Sequence, residues 1–239
     1  MSTKALLTAV QTITLAHMKD FFLPRSFCLM ATCDLVIAYK KAGQHTVPLV
    51  QGEGGSLLEE IGQAHEEILA PYGKKACEGL ALHRLDSQTS GLVAFARTKE
   101  AYERMLGFQD SDRFIKRYLA LTRPEDPQGP SWPFFDQDPK RITSAFRAFG
   151  PGRRLVRQTG QGRLYTTELD WLDDKACIAT LAQGFRHQVR VHLAWSRHPI
   201  ANDALYGSGQ GTMGLCCIAL EAPGIRIDLR ELEDIDERP

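Results

Sequence analysis

The stretch ALHRLDSQTSGLVAFAR, residues 81–97, gathers a histidine, an arginine, an aspartate and a run of polar side chains, and then turns apolar. Asp86 is its centre: His83 and Arg84 precede it, and Ser87, Gln88, Thr89 and Ser90 follow. Side chains of this kind favour local bonds to the backbone over helix or strand, so the polar part reads as a loop. Gly91 closes it, and residues 92–96 form a short apolar run bounded by turn signals, the pattern of a buried strand. A carboxylate therefore sits just before a core strand. Taken alone, these residues fit a catalytic loop and a salt-bridged turn equally well.

Composition bounds what the rest can be. With 239 residues, 43% of them hydrophobic, the chain is one large domain or one domain plus an appendage, with enough apolar surface for a sizeable core. Its 29 basic and 29 acidic residues cancel, which by itself argues against a nucleic-acid partner. The distribution argues the other way. Residues 139–167 hold seven basic side chains (Lys140, Arg141, Arg147, Arg153, Arg154, Arg157, Arg163) and no acidic one, whereas residues 228–237 hold six carboxylates and one arginine. Six cysteines show no metal-ligand spacing, and Cys216 and Cys217 lie in an apolar run as packing residues. Reduced thiols and a cytoplasmic location are expected. Lys4 and the apolar residues 5–16 read as a capped amphipathic helix in preference to a secretory signal. No run reaches the length of a membrane span.

Along the chain, residues 35–39 predict a strand, followed by a loop carrying Lys40, Gly43 and His45. Ser56 and Glu59 make a capping box ahead of Leu57, Ile61, Ile68 and Leu69, which predicts a helix over 56–70. Residues 99–109 carry Tyr102, Met105 and Leu106 at helical spacing. Residues 116–122 alternate as a half-buried strand with Tyr118 facing away from Leu119 and Leu121. Five prolines between 124 and 139 mark an irregular connection. Residues 183–207, QGFRHQVRVHLAWSRHPIANDALYG, predict a helix on which Arg186, Arg190 and Arg197 share one stripe while Val189 and Leu193 share another. No acidic residue occurs from 176 to 202, so the partner of these arginines must be distant or foreign.

These segments resemble one family. HRLDSQTSGLVAFA is similar to the H-R-L-D-x-x-T-S-G-L-h-h-h-A signature (h, apolar) of the RluA family of RNA pseudouridine synthases, in which the aspartate is the catalytic carboxylate. Residues 35–43 resemble the family's first motif, with Lys41 in place of a proline, which would make Lys40, Gly43 and His45 RNA-facing. Lys116, Tyr118 and Ala120 match a K-x-Y-x-A strand that supplies an active-site tyrosine. Residues 184–194 and 199–207 resemble T-G-R-T-H-Q-h-R-h-H-h-A and h-P-I-h-x-D-x-x-Y-G, in which the arginine matching Arg190 pairs with the catalytic aspartate. Phe185 and Arg186 depart from this pattern, and so do Cys216 and Cys217, where the family often has His-Ala.

The resemblance covers roughly residues 33–220 and implies an α/β (α+β) catalytic fold, a mixed, largely antiparallel sheet flanked by helices with a central cleft. It divides the chain into an N-terminal, helical extension (1–32), a catalytic domain (33–230) and an acidic tail (231–239). No further RNA-binding domain fits the first thirty residues. It also implies a catalytic set of Asp86, Tyr118 and Arg190. Arg84, His83, Thr89, Val189, Arg186, His187, Gln188 and Lys116 are the implied substrate contacts. The implied partner is an rRNA or tRNA stem-loop, handled by a monomer. Uridine isomerisation breaks C1′–N1, makes C1′–C5 and involves no redox step, so neither metal nor cofactor is expected. Two rivals stand beside this reading: a catalytically impaired RNA-binding protein of the same fold, and a glycoside or phosphoester hydrolase. The hydrolase would require a second acid or a metal cluster that the motifs do not offer.

Overall fold

The apolar runs become the centre of one sheet. In the computed structural model, which describes residues 19–49, 54–123 and 139–232, LVIAYK and SGLVAFA form β2 (Leu35–Lys40) and β3 (Ser90–Ala96), every residue of both being buried. Strands β1 (Phe27–Ala31), β4 (Ile115–Leu121), β5 (Arg141–Phe149), β6 (Leu155–Thr159), β7 (Leu164–Asp173), β8 (Ala176–Leu181), β9 (Leu215–Ala222) and β10 (Ile225–Asp228) complete it. Among the described residues this ten-stranded sheet runs β1-β2-β3-β9-β4-β8-β7-β5-β6, with β10 on β9. Every ladder is antiparallel except β3 with β9, so the sheet is mixed and largely antiparallel, as the resemblance implies. The α-helices are short: α1 (Leu57–Gly62), α2 (Lys99–Asp110) and α3 (Gln188–Trp195).

Residues paired across antiparallel strands share a face, so the registers trace one face of the sheet. Tyr118 lies opposite Cys217 and Ala179, Ala179 opposite Leu169, and Thr167, two residues before Leu169, opposite Ile142. Helix α3 packs on this face, where His192 bonds Ser144 Oγ (2.8 Å) and Thr167 Oγ1 (2.8 Å). A second apolar cluster of Phe146, Val156, Val191, Ala194, Trp195 and Tyr206 fastens the β5–β6 hairpin to α3.

Four expectations are corrected. Residues 27–31, assigned to an N-terminal extension, are β1, and Phe21, Leu23 and Phe27 belong to the main core. The capping box at Ser56 is present, but the helix ends at Gly62 because the chain turns back on itself. A β-carbon at Gly62 would lie 2.6 Å from the Leu69 side chain, and residues Glu66–Leu69 form a separate 3-10 turn. β4 is not half-buried: it lies between β8 and β9, and Tyr118, Leu119 and Ala120 are all buried. The arginine stripe does not exist, since α3 starts after Arg186 and ends before Arg197, and all of its residues are buried. The proline-rich connection over 124–138, most of the N-terminal segment and most of the acidic tail lie outside the described residues.

The parallel pairing explains Gly91. It stands directly across from Cys217 at φ 110°, and a β-carbon there would meet the Cys217 carbonyl oxygen at 2.3 Å and its nitrogen at 2.4 Å. Gly91→Ala combines overpacking against backbone, about 1 to 3 kcal/mol, with a disfavoured φ, about 1 to 2 kcal/mol. Its urea midpoint is expected to fall sharply. Gly107, inside α2 with nothing within 4 Å, serves as the control, because alanine there should stabilise by about 0.5 to 1 kcal/mol. A Gly91→Ala variant as stable as the parent would show that the β3–β9 approach is not this tight.

Candidate active site

Asp86 lies in a loop that the end of β2 and the segment after it hold from behind. Thr46 Oγ1 accepts from Leu85 N and donates to Leu85 O, both at 3.1 Å, and Thr89 N donates to Asp86 O at 3.0 Å. Lys40 Nζ donates to the carbonyls of Lys41 (3.0 Å), Gln44 (2.8 Å) and Ser87 (3.0 Å). These three acceptors match the three donors of an ammonium, although burial lowers the Lys40 pKa to about 7. Lys40 is fully buried, which corrects the expectation that it faces RNA; Gly43 and His45 are exposed. The loop aims the Asp86 carboxylate toward α3, one quarter of the side chain remaining open to solvent.

Arg190, in the first turn of α3, meets it there. Arg190 Nη1 donates to Asp86 Oδ2 at 2.9 Å, while Nε and Nη2 donate to Asp203 Oδ2 and Oδ1, both at 2.7 Å. Asp203 is completely buried, and its Oδ1 also accepts from Leu205 N (2.9 Å) and Tyr206 N (3.3 Å). Burial opposes the charge on Arg190, but the two carboxylates outweigh it and raise its pKa above the ordinary value. The planar fork is thus fixed by one acid and presents its remaining edge to the other. The role of Asp203 was missed in the sequence because the acid-free window ends at Asn202, one residue before the partner. His187 stands 3.6 Å from Asp86 Oδ2 through Nε2. Tyr118 is buried with its hydroxyl against the Cys217 thiol, and burial keeps that hydroxyl protonated far above neutral pH.

The segment that holds Asp86, Tyr118 and Arg190 lies within residues 34–195, which match the family model of the RNA pseudouridylate synthases. The chain belongs to the RNA pseudouridylate synthase family. It is 30% identical over 185 residues to an uncharacterized RNA pseudouridine synthase of Bacillus subtilis (73% of this chain, 55% of that one). It is also 30% identical over 183 residues to ribosomal large subunit pseudouridine synthase D of Neisseria meningitidis serogroup A (75% and 46%). Identity to tRNA pseudouridine synthase C of Vibrio cholerae is 28% over 142 residues (54% and 55%). The chain spans about half the length of these curated relatives. In fold it resembles human RNA Pseudouridylate Synthase Domain Containing 1, with TM-score 0.59 at 19% identity over 88% of this chain and 84% of that one.

Within this pseudouridylate synthase fold the remaining residues named from the sequence divide into two groups. Arg84 has an open side chain (56% exposed), anchored by Nη1 to Glu78 Oε1 at 2.7 Å. Arg186 is exposed, but its Nη2 binds the carbonyls of Arg153 and Leu155 (3.2 Å for the latter), so it props the β5–β6 hairpin. Lys116 is buried on the Tyr118 face, with Nζ over the Phe114 ring at 4.8 Å and its pKa lowered by burial to about 8. The others make internal contacts in the protein without RNA. Thr89 and Val189 are buried. Gln188 accepts from Phe185 N (2.9 Å) and donates to Thr166 O (2.9 Å) and Thr167 Oγ1 (3.1 Å), tying α3 to β7. His83 Nε2 accepts from Ala94 N at 3.3 Å, bracing the loop on β3. Phe185, where the family pattern has arginine, stacks on Phe146 with centroids 5.2 Å apart. A surface groove of about 300 Å³ lined by Lys140, Arg141, Glu168, Leu169, Asp170 and Thr180 contains none of the Asp86 cluster.

Burial holds His83 and His192 neutral, each with a pKa lowered to about 3. Unfolded histidines take up protons near pH 6.5, whereas these two in the fold refuse them until about pH 3. Their contribution is therefore complete above about pH 6.5 and is lost as pH falls below it, at about 1.4 kcal/mol per pH unit for each. Urea unfolding between pH 6.5 and 5 should show this slope, with a further share from His187, whose pKa burial lowers to about 4, and His192→Gln should remove one proton's share. An unchanged slope in that variant would mean that His192 titrates normally in the fold.

Proposed function

We propose that the chain isomerises uridine to pseudouridine in a folded rRNA or tRNA, with Asp86 as the carboxylate that acts on the ribose. The observation that carries this reading is the Arg190 guanidinium held between buried Asp203 and part-exposed Asp86. An opposite charge within hydrogen-bond reach favours an ionised carboxylate, the form needed either to attack C1′ or to take the C2′ proton. Tyr118, whose hydroxyl stays protonated, suits a surface beneath the base better than a base in its own right. The target nucleotide leaves its stack to reach Asp86, at a cost of a few kcal/mol, and Arg84, whose side chain is open, is our candidate to fill the gap.

RNA beyond the target is assigned to the β5–β6 hairpin. Arg147 lies directly across from Arg157, a like-charged pair that is unfavourable without an external anion. Arg157 sits over Phe149 at 4.6 Å and Arg163 over Tyr165 at 5.9 Å, an interleaving suited to phosphates and bases. Arg153 and Arg154 lie exposed at the turn.

Asp86→Asn keeps shape and removes charge. Tritium release from 5-tritiated uridine in rRNA and tRNA transcripts should fall to background while RNA affinity stays within a few fold; turnover near the parent rate would overturn the role of Asp86. If the parent binds these RNAs but turns over none, the impaired RNA-binding protein is the better reading. Binding should weaken with salt through counterion release, and Arg153→Glu with Arg154→Glu should flatten that slope by about one unit for each phosphate left without its arginine. An unchanged slope places the RNA elsewhere.

A further inference from the structure

Two buried lysines adjoin the site, and the fold treats them differently. Lys40 Nζ has three carbonyl acceptors at 2.8 to 3.0 Å. Lys116 Nζ has two, the carbonyls of Phe114 and Ala182, both at 3.4 Å, the far edge of hydrogen-bond range. It lies over the Phe114 ring and has no carboxylate partner among the described residues, although Lys116 is only 5% exposed. Buried charges are ordinarily paired. The same corner leaves two neutral groups short. His83, whose ring is 5.6 Å from that of Phe114, accepts from Ala94 N at Nε2, so the hydrogen of the neutral ring is on Nδ1, which is buried with no acceptor among the described residues. Gln183, the residue after Ala182, gives its amide nitrogen to Asp112 and keeps a buried Oε1 without a donor among them. Each such group costs about 1 to 3 kcal/mol, and uracil brings what the corner lacks: two carbonyl acceptors and one N–H donor.

Lys116 and Tyr118 are two residues apart on β4, so they share a face about 7 Å apart along the strand. We propose that Lys116 is the cation for the departing base: its ammonium takes the uracil carbonyl oxygen on which negative charge collects as C1′–N1 breaks. The proposal rests on the uridine-isomerisation reading. The electron pair of C1′–N1 stays with the base, spread over N1 and the carbonyl oxygens, whether Asp86 attacks C1′ or takes the C2′ proton. When C5 bonds to C1′ the base supplies the pair for the new bond, C5 loses its proton and N1 gains one, so no co-reactant is required. A buried cation then meets a charge that exists only as the bond breaks, the kind of interaction that speeds the chemical step. Burial lowers the Lys116 pKa to about 8, with Cys217 opposing. The groups facing it do not titrate there. His83 in the loop stays neutral, burial raises Cys217 on β9 and Tyr118 on β4 far above that range, and residues 182–184 carry no titratable side chain.

Lys116→Met, compared with the parent in single-turnover isomerisation of rRNA and tRNA transcripts with protein below saturation, separates this role from a structural one. At pH 7 the variant should be slower by about 10²- to 10³-fold, with RNA affinity within a few fold. Between pH 7 and pH 9 the protonated share of Lys116 falls from about nine-tenths to about one-tenth, so the ratio of the two rates should shrink about tenfold. Groups common to both proteins, Lys40 included, cancel in that ratio. The urea midpoint of the variant should be no lower than the parent's, because an apolar side chain replaces a buried charge that has no partner. A rate within a few fold of the parent's at pH 7, a ratio unchanged at pH 9, or a variant that unfolds more easily or does not fold overturns the proposal. A parent that converts no uridine counts instead against the isomerisation reading itself.

Discussion

A guanidinium out of water must find acceptors for its donors, and Arg190 divides its own between two carboxylates. Nε and Nη2 form the bidentate pair with Asp203, and Nη1 is left for Asp86. Taking such charges out of water costs several kcal/mol per ion, so the arrangement persists only where geometry is close to ideal and the remaining lone pairs are satisfied. The backbone amides of Leu205 and Tyr206 complete Asp203, and Tyr206 in turn faces the Arg190 guanidinium at 5.3 Å and bonds His187 and Val156. Helix α3, the turn at residues 203–206 and the β5–β6 hairpin are therefore tied to one charge.

The other side of the site depends on a different kind of constraint. The Asp86 loop is fixed through its backbone by Lys40, Thr46 and Gly43, whose amide donates to Ser87 O at 2.8 Å, and Gly91 lets β9 pass close beneath the loop's exit. Fixing the carboxylate by its main chain leaves the side chain for chemistry. The site is thus the meeting of a backbone-held aspartate and a side-chain-held arginine that are 104 residues apart in sequence.

Much of this was legible in the sequence because it lies in local pattern. The buried strand after Asp86, the cap at Ser56, the helix over 99–109 and the strand bearing Tyr118 follow from periodicity and turn signals, and the motif led to the right family. What was not legible depends on contacts between distant segments. That β4 is central, and not half-buried, follows from its neighbours β8 and β9, which alternation within one strand does not encode. The proposed arginine stripe assumed an unbroken helix, whereas left-handed residues at His187 and Arg197 bound it. Thr89, Gln188, His83 and Val189 are packed or hydrogen-bonded within the protein, and a motif alone does not distinguish a strut from a substrate contact.

The departures from the family pattern are absorbed by packing. Phe185 joins Phe146 and Tyr165, and Arg186 takes hairpin carbonyls instead; Cys216 and Cys217 are fully buried along β9, where burial raises both thiols, Cys216 to about 12. None of these changes touches the charge arrangement on which the account depends. That arrangement is tested most directly by a double-mutant cycle on single-turnover conversion of uridine to pseudouridine, using Asp203→Asn and Arg190→Lys. If Asp203 acts only by aiming Arg190 at Asp86, the double variant should be no slower than the slower single variant. Losses that multiply would contradict the account, because Asp203 would then contribute to turnover by a route independent of Arg190.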